Sequence, residues 1–400
     1  MLRARLALAR PALVLADAAA QAVAGWAALA RRAARLELPD LADIGPVATV
    51  GPRLPGCAPA LDAGAGAGVL PRPWDGDGDA VIVFTSGTTA QPRAVVHTRA
   101  SLAAGMAAVA DLVKPQPDLP VVGGTTFVLL PALACGAPVA LPARSPRVLV
   151  RQLRRLAPQA TYLTPPQLRA ALAAGAGFTG RVWTGSAPAG AELLTRVKKA
   201  GADEAWGVYA LTELFPAAAV EQTEKAAFTG DGDLVGAPLP GVRATTGADA
   251  ELLLSGPAAR DRYLGEPPAP WVATGDRARL DGDRIVLEGR HKDMILRGAE
   301  NIYPGLYEPA LHIPGVELAL LVGVPTPDGD ERLVAVVQPA PDADPATLRA
   351  ALTTPLTRMG TARPDAVLLT PIPLTGRSHK PDRAAAARLA ATRLSAGGCA

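Results

Sequence analysis

The order of apolar and polar positions along the chain predicts an alternation of strands and helices. Short apolar runs bounded by turn residues read as buried strands, and longer runs with a helical period read as helices. A strand is expected at 13–17 and an Ala-rich helix at 18–36, with Arg31, Arg32 and Arg35 near its C-terminal end. Residues 52–79 are rich in Pro, Gly and Asp and read as a loop or linker. The apolar run at 80–84 is a buried strand. Helices follow at 99–112, 146–155, 165–174 and 190–199, with strands at 126–130, 160–163 and 181–184. This alternation predicts a layered α/β domain. Residues 230–290 are richer in strand, with segments near 250–254 and 284–288 and a turn at Asp281-Gly282. From about 293 a smaller α+β unit follows: strands at 316–323, 332–338 and 366–369, and helices at 345–357 and 382–394. No internal repeat is visible.

Composition narrows the class. The chain has 400 residues, enough for two or three domains. It is 49% hydrophobic but only 4% aromatic, so its core is built from Ala, Val and Leu. The hydrophobic content excludes global disorder. The net charge of +3 is not a nucleic-acid-binding balance. Cys57, Cys135 and Cys399 lie far apart and form neither a disulfide framework nor a metal cluster. Met1-Leu-Arg-Ala-Arg5 and the apolar residues after it imitate a secretion signal, but Arg10, Pro11 and Asp17 interrupt the pattern. The uncharged run Leu119–Ala143 is long enough for a membrane span. Pro120, Pro131, Pro138 and Pro142 would break such a helix repeatedly, so no span is expected. Arginine carries most of the positive charge, and the six lysines are Lys114, Lys198, Lys199, Lys225, Lys292 and Lys380.

Four segments carry candidate chemistry. Thr85-Ser-Gly-Thr-Thr-Ala-Gln-Pro-Arg-Ala-Val95 follows a strand directly. Its residue types fit either an ordinary polar turn or a loop whose hydroxyls and N–H groups meet phosphate oxygens, with Arg93 adding charge. The GxxxxGK[ST] spacing is absent. In Tyr209-Ala-Leu-Thr-Glu213 the tyrosine face can stack on a purine and Glu213 can hold Mg²⁺ beside phosphates. Upstream, Gly185-Ser-Ala-Pro188 reads by itself as a strand-to-helix turn. The Asp276 carboxylate in Thr274-Gly-Asp276 can accept from two ribose hydroxyls, and Arg290 can reach ribose or phosphate. Lys292 reads in isolation as a solvated lysine, whereas Lys380, in a chain so poor in lysine, favours a functional reading over a surface-loop lysine. His97 and His312 have no partner pattern and read as structural.

In order and spacing these segments resemble the adenylate-forming superfamily of acyl-CoA synthetases and their relatives. The first is similar to the phosphate loop TSGTTGxPKGV, with Thr85, Ser86, Gly87, Thr88 and Thr89 kept, Ala90 and Ala94 in place of glycines, and Arg93 in place of lysine. The second resembles YGxTE, with Ala210 for glycine. The resemblance implies that Tyr209 packs on adenine, Thr212 touches the α-phosphate, Glu213 binds Mg²⁺, and Gly185, Ser186 and Ala187 line the other adenine face. It makes Asp276 and Arg290 nucleotide ligands and Lys292 the hinge between domains 1–291 and 292–400. Arg297-Gly-Ala-Glu-Asn-Ile-Tyr-Pro304 looks like GGENIYP, which borders the thioester-forming tunnel, with Ala299 narrowing it. Lys380 and Arg383 keep the spacing of PxTxxGKxxR, with His379 for glycine, which makes Lys380 the catalytic lysine.

The fold implied is a large layered α/β domain, shortened at its N-terminal side, and a small mobile α+β domain. The phosphate loop arrives early, so a block of βα units is expected to be missing. Its absence leaves apolar surface for a homodimer partner or a carrier protein to cover. The small residues Val121-Val-Gly-Gly-Thr-Thr126, where many members carry an aromatic or His gate, hint at an open, apolar-tolerant pocket. The implied activity is acyl-AMP formation from a carboxylic acid and Mg·ATP in the cytoplasm, followed by transfer to CoA or a phosphopantetheine carrier. Ala210–Glu221 is also similar to β-lactone synthetases, which leaves ring closure, amide formation and a non-catalytic nucleotide or acyl binder as rival readings.

Overall fold

A computed structural model describes residues 5, 8–21, 45–61, 77–85, 93–297, 300–326, 330–375 and 380–395. The chain divides into two compact units. One comprises Met1–Leu102 with Arg260–Ala269. It holds the parallel pair Val14–Ala16 and Val47–Thr49, and a sheet of Asp79–Phe84, Ala94–Thr98 and Arg262–Tyr263. The expected helix at 18–36 is seen as Ala18–Gln21, and its remainder lies outside the described residues. The strand after the candidate phosphate loop, Ala94–Thr98, is buried along most of its length and pairs antiparallel with Asp79–Phe84. Thr85 and Arg93 therefore stand at the paired ends of these two strands.

The other unit comprises Ala103–Ala259 with Pro270–Ala400. Its centre is an eleven-stranded sheet. Five strands run parallel, from the edge strand Val139–Ala140 through Val121–Gly123, Ala160–Tyr162 and Arg181–Thr184 to Glu204–Tyr209. From there the order continues antiparallel through Ala218–Glu221, Asp233–Pro238, Arg284–Arg290, Val272–Asp281, Glu251–Ser255 and Arg243–Thr246. The parallel half follows from βα alternation. Helices Pro165–Ala173 and Ala191–Lys199 bury Leu168, Leu194 and Val197 against Val182 and Ala205. On a second cluster, Val109 and Val113 pack with Val121, Ala160 and Trp183.

The strand expected at 126–130 is instead the start of the helix Thr126–Ala134, and the strand is Val121–Gly123. A short apolar run does not distinguish a buried strand from a buried helix. Here Thr125 decides: its extended backbone and its side chain, which accepts from the Phe127 N–H, cap a helix. Among the described residues, no helix is long and apolar enough to cross a membrane.

The C-terminal segment builds a three-stranded sheet from Val316–Pro325, Glu331–Pro339 and Ala366–Leu369. Alternate residues of its strands point to opposite faces. Leu321, Leu333 and Ala335 meet helix Pro345–Arg358, while Val322, Val334 and Val336 meet helix Arg383–Ser395. Burial on both faces explains why these strands are apolar throughout. Glu317 of this sheet lies 3.7 Å from Arg169 and 3.5 Å from Arg196, and Gly305 packs directly on the backbone of Gly289.

Candidate active site

The carboxyl ends of two neighbouring parallel strands start the site. Thr184 pairs with Gly207, so Ser186, two residues past the end of its strand, comes level with Tyr209, the last residue of the neighbouring strand. The carboxyl ends of the strands are where ligands bind in open α/β sheets. Gly185 is buried, and a Cβ there would lie 2.8 Å from the Val208 carbonyl oxygen and 3.3 Å from the Tyr162 hydroxyl. Glycine is therefore required by space. Ser186 follows in the left-handed region at φ 70°, with its Oγ 3.2 Å from the Tyr162 hydroxyl. Ala187 is half-buried. Tyr162 had no motif to single it out, yet it supports this loop from the adjacent strand.

Tyr209 does more than present a ring. Its hydroxyl donates to Asp276 Oδ2 at 2.6 Å, across 67 positions of sequence. Burial, then the Asp276 charge and this hydrogen bond, push the phenol well above its ordinary pKa, so it stays a donor. The register of the antiparallel half places Asp276 opposite Arg290, whose Nε donates to Asp276 Oδ1 at 2.7 Å. Asp276 is itself buried. Its turn is set by Gly275 at φ 70°, whose N–H donates to Glu251, and by the Thr274 hydroxyl, which accepts from the Asp276 N–H. Thr212 and Glu213 sit half-buried in the turn after Tyr209, which the Leu211 N–H closes onto the Leu214 carbonyl.

Lys380 reaches this cluster from the C-terminal segment. The residue as a whole is exposed, yet burial around its ammonium, with the Arg290 and Lys292 cations, lowers its pKa from the ordinary lysine value, and Asp276 opposes them. Tyr209, Asp276 and Arg290 are thus joined by hydrogen bonds, and the charges of Asp276, Arg290 and Lys292 act on Lys380, although 171 positions separate Tyr209 from Lys380 (380 minus 209). Positive groups outnumber the carboxylate, an arrangement that fits a polyphosphate.

Thr85 and Arg93 belong to the other unit. The Thr85 N–H donates to the Arg93 carbonyl at 3.0 Å and joins the two strand ends. The Arg93 guanidinium lies 3.9 Å from the Tyr263 ring centroid and 3.9 Å from Glu266. Ser86, Gly87, Thr88 and Thr89 lie outside the described residues, as does Ala299. Among the described residues there is no group of three His, Cys, Asp or Glu side chains able to hold a metal. The single carboxylate of Glu213 is the kind of donor that fits Mg²⁺, an ion commonly held by one or two carboxylates together with substrate phosphates.

A sequence model of the AMP-binding enzyme family matches residues 1–252. The chain is 30% identical over 318 residues to the fatty acid–[acyl-carrier-protein] ligase ScoC of Streptomyces coeruleorubidus, covering 69% of this chain and 61% of that one. It is 40% identical over 114 residues to a feruloyl-CoA synthase of an Amycolatopsis species, covering 26% and 22%. The chain thus spans at most 61% of the length of these curated relatives. In fold it is similar to the amide bond synthetase McbA of Marinactinospora thermotolerans, with a TM-score of 0.77 at 24% identity, covering 97% of this chain and 82% of that one.

Proposed function

The chain belongs to the AMP-binding enzyme family, and from that membership we propose that it is an ATP-dependent acid–thiol ligase. A carboxylate oxygen attacks the α-phosphorus of ATP, pyrophosphate leaves, and acyl-AMP forms. The thiol of CoA or of a phosphopantetheine carrier then attacks the acyl carbon and AMP leaves. The observation that carries this reading is the convergence of Tyr209, Asp276, Arg290 and Lys380 from distant parts of the sequence.

Each residue has a task its chemistry suits. Asp276 has acceptor capacity left for the ribose hydroxyls after taking Tyr209 and Arg290. The Tyr209 ring offers a face to adenine and the 185–187 loop offers the other. Thr212 hydrogen-bonds the α-phosphate. Arg93 and the Thr/Ser residues 85, 86, 88 and 89, with Gly87, bind the β- and γ-phosphates. Glu213 holds Mg²⁺, which would supply charge neutralisation on the phosphates. The Lys380 ammonium stabilises the charge developing between carboxylate and α-phosphate. Lys292 is the hinge between domains 1–291 and 292–400, so that rotation there exchanges one half-reaction for the other. We read the enzyme as cytoplasmic from its use of ATP. Leu130, Leu133 and Leu141 are exposed, a surface that a second copy of the chain would cover in a homodimer.

Pyrophosphate release from Mg·ATP across a panel of carboxylic acids, with and without CoA, tests this reading. Turnover that requires CoA is expected. Turnover without a thiol would instead mark lactone or amide formation. No release with any acid would leave a non-catalytic binder.

A further inference from the structure

The strand that carries Lys380 is only two residues long, Lys380–Pro381, and pairs with the equally short Leu374–Thr375. So short a pairing does not hold a long flexible amine at a fixed point. Three residues on, Arg383 opens the helix Arg383–Ser395. Its guanidinium grips Glu308 with both ends, Nη1 to Oε1 at 2.6 Å and Nη2 to Oε2 at 3.0 Å. Nη1 also donates to the Leu321 carbonyl, and Nε lies 3.5 Å from Asp293. Glu308 is held in turn by the Leu321 N–H at 2.7 Å. The turn between Lys380 and the helix is tied as well: the Asp382 N–H donates to the Pro373 carbonyl, and Asp382 Oδ1 accepts from Ala385.

Asp293 is the residue immediately after Lys292. Arg383 therefore connects the C-terminal flank of the proposed hinge to the base of the strand bearing the amine. We propose that Arg383 is a positioning residue for Lys380: it makes hinge flank and lysine one lever, so that rotation at residue 292 delivers the ammonium to the nucleotide as a fixed step. Planar, two-ended contact is what this task needs, and a lysine would keep the charge while losing the fork. The inference rests on the proposed role of Lys380 beside ATP.

The test uses the full chain and Mg·ATP alone, so no acid need be known. Acylation of Lys380 by sulfo-NHS-acetate is followed by mass spectrometry with and without Mg·ATP in wild type, Arg383→Lys and Asp293→Asn. Acylation of Lys114 serves as an internal control, and equilibrium dialysis gives the Mg·ATP affinity. Wild type is expected to show at least ~5-fold protection of Lys380, and Arg383→Lys less than ~2-fold, with ATP affinity changed by less than ~3-fold. Asp293→Asn removes one leg of the lever, is expected to lie between them, and stands in should Arg383→Lys fail to fold. Equal protection in wild type and the folded variants would overturn the positioning role. So would loss of protection that merely follows loss of ATP binding. Absence of protection in wild type would overturn the role of Lys380 itself.

Discussion

Replacing Asp276 by Asn tests the site where its geometry is best defined. A carboxylate offers roughly four acceptor positions, and Tyr209 and Arg290 occupy one on each oxygen. About two remain for the ribose diol. Asparagine keeps the shape, loses the charge, and turns one oxygen into a donor. A hydrogen bond to a charged group contributes about 1.5–3 kcal/mol and a neutral one about 0.5–1.5. Weakening two ribose contacts in this way costs ~2–3 kcal/mol, or about 30- to 150-fold in adenosine affinity. ATP should lose less. The same substitution removes a negative charge from the neighbourhood of the triphosphate, which returns on the order of 1 kcal/mol. Titration calorimetry with adenosine, 2′-deoxyadenosine and Mg·ATP measures all three. The expected order of loss is adenosine first, then Mg·ATP, with 2′-deoxyadenosine affected less than adenosine. An equal loss for adenosine and its 2′-deoxy form would refute the assignment, because the carboxylate would not then be reading the diol.

Glu213→Gln should raise the Mg²⁺ concentration for half-maximal pyrophosphate release and lower kcat by ~10- to 100-fold, checked by a Mg²⁺ titration. Acyl-AMP formation should need charged Lys380, so activity falls as pH rises through its pKa. Burial and the Arg290 and Lys292 cations lower that pKa, so the alkaline limb should lie below the ordinary lysine value. Lys292→Gln removes a like charge and should move the limb upward; a pH–rate profile with an unmoved limb would count against the cluster. Gly185→Ala places a Cβ 2.8 Å from the Val208 carbonyl oxygen. It should raise the KM for ATP by ~10-fold while the circular dichroism spectrum stays that of wild type.

Much of the fold was legible because the helices and strands have ordinary periods. The strand at 181–184 and the helices at 146–155 and 165–174 appear within a residue at either end. The strand misplaced onto 126–130 shows the limit: the apolar run Phe127–Leu130 has no polar face, and the cap at Thr125 decides its state. The site was legible as segments and not as contacts. Sequence pointed to the Tyr209 ring, whereas the structure adds its hydroxyl on Asp276. Tyr162 went unnoticed because its role depends on strand neighbours and not on local pattern. The Asp276–Arg290 pair depends on register, which no spacing along one strand reveals.

That register also bears on how the gene can change length. Between Arg277 and Ala278 the ladder skips one residue of the partner strand, since Arg277 faces Gly289 and Ala278 faces Leu287. The extra residue is Glu288, whose carboxylate meets Arg277 and Arg279. A bulge of this kind is a vernier: it sets which residues stand opposite at the far end of the hairpin. Losing one codon between residues 278 and 288 would turn Asp276 away from Arg290 and Tyr209 even if every site residue were kept. Insertions and deletions inherited by relatives should therefore fall outside Val272–Arg290, a constraint on reading frame length imposed by a ladder of hydrogen bonds.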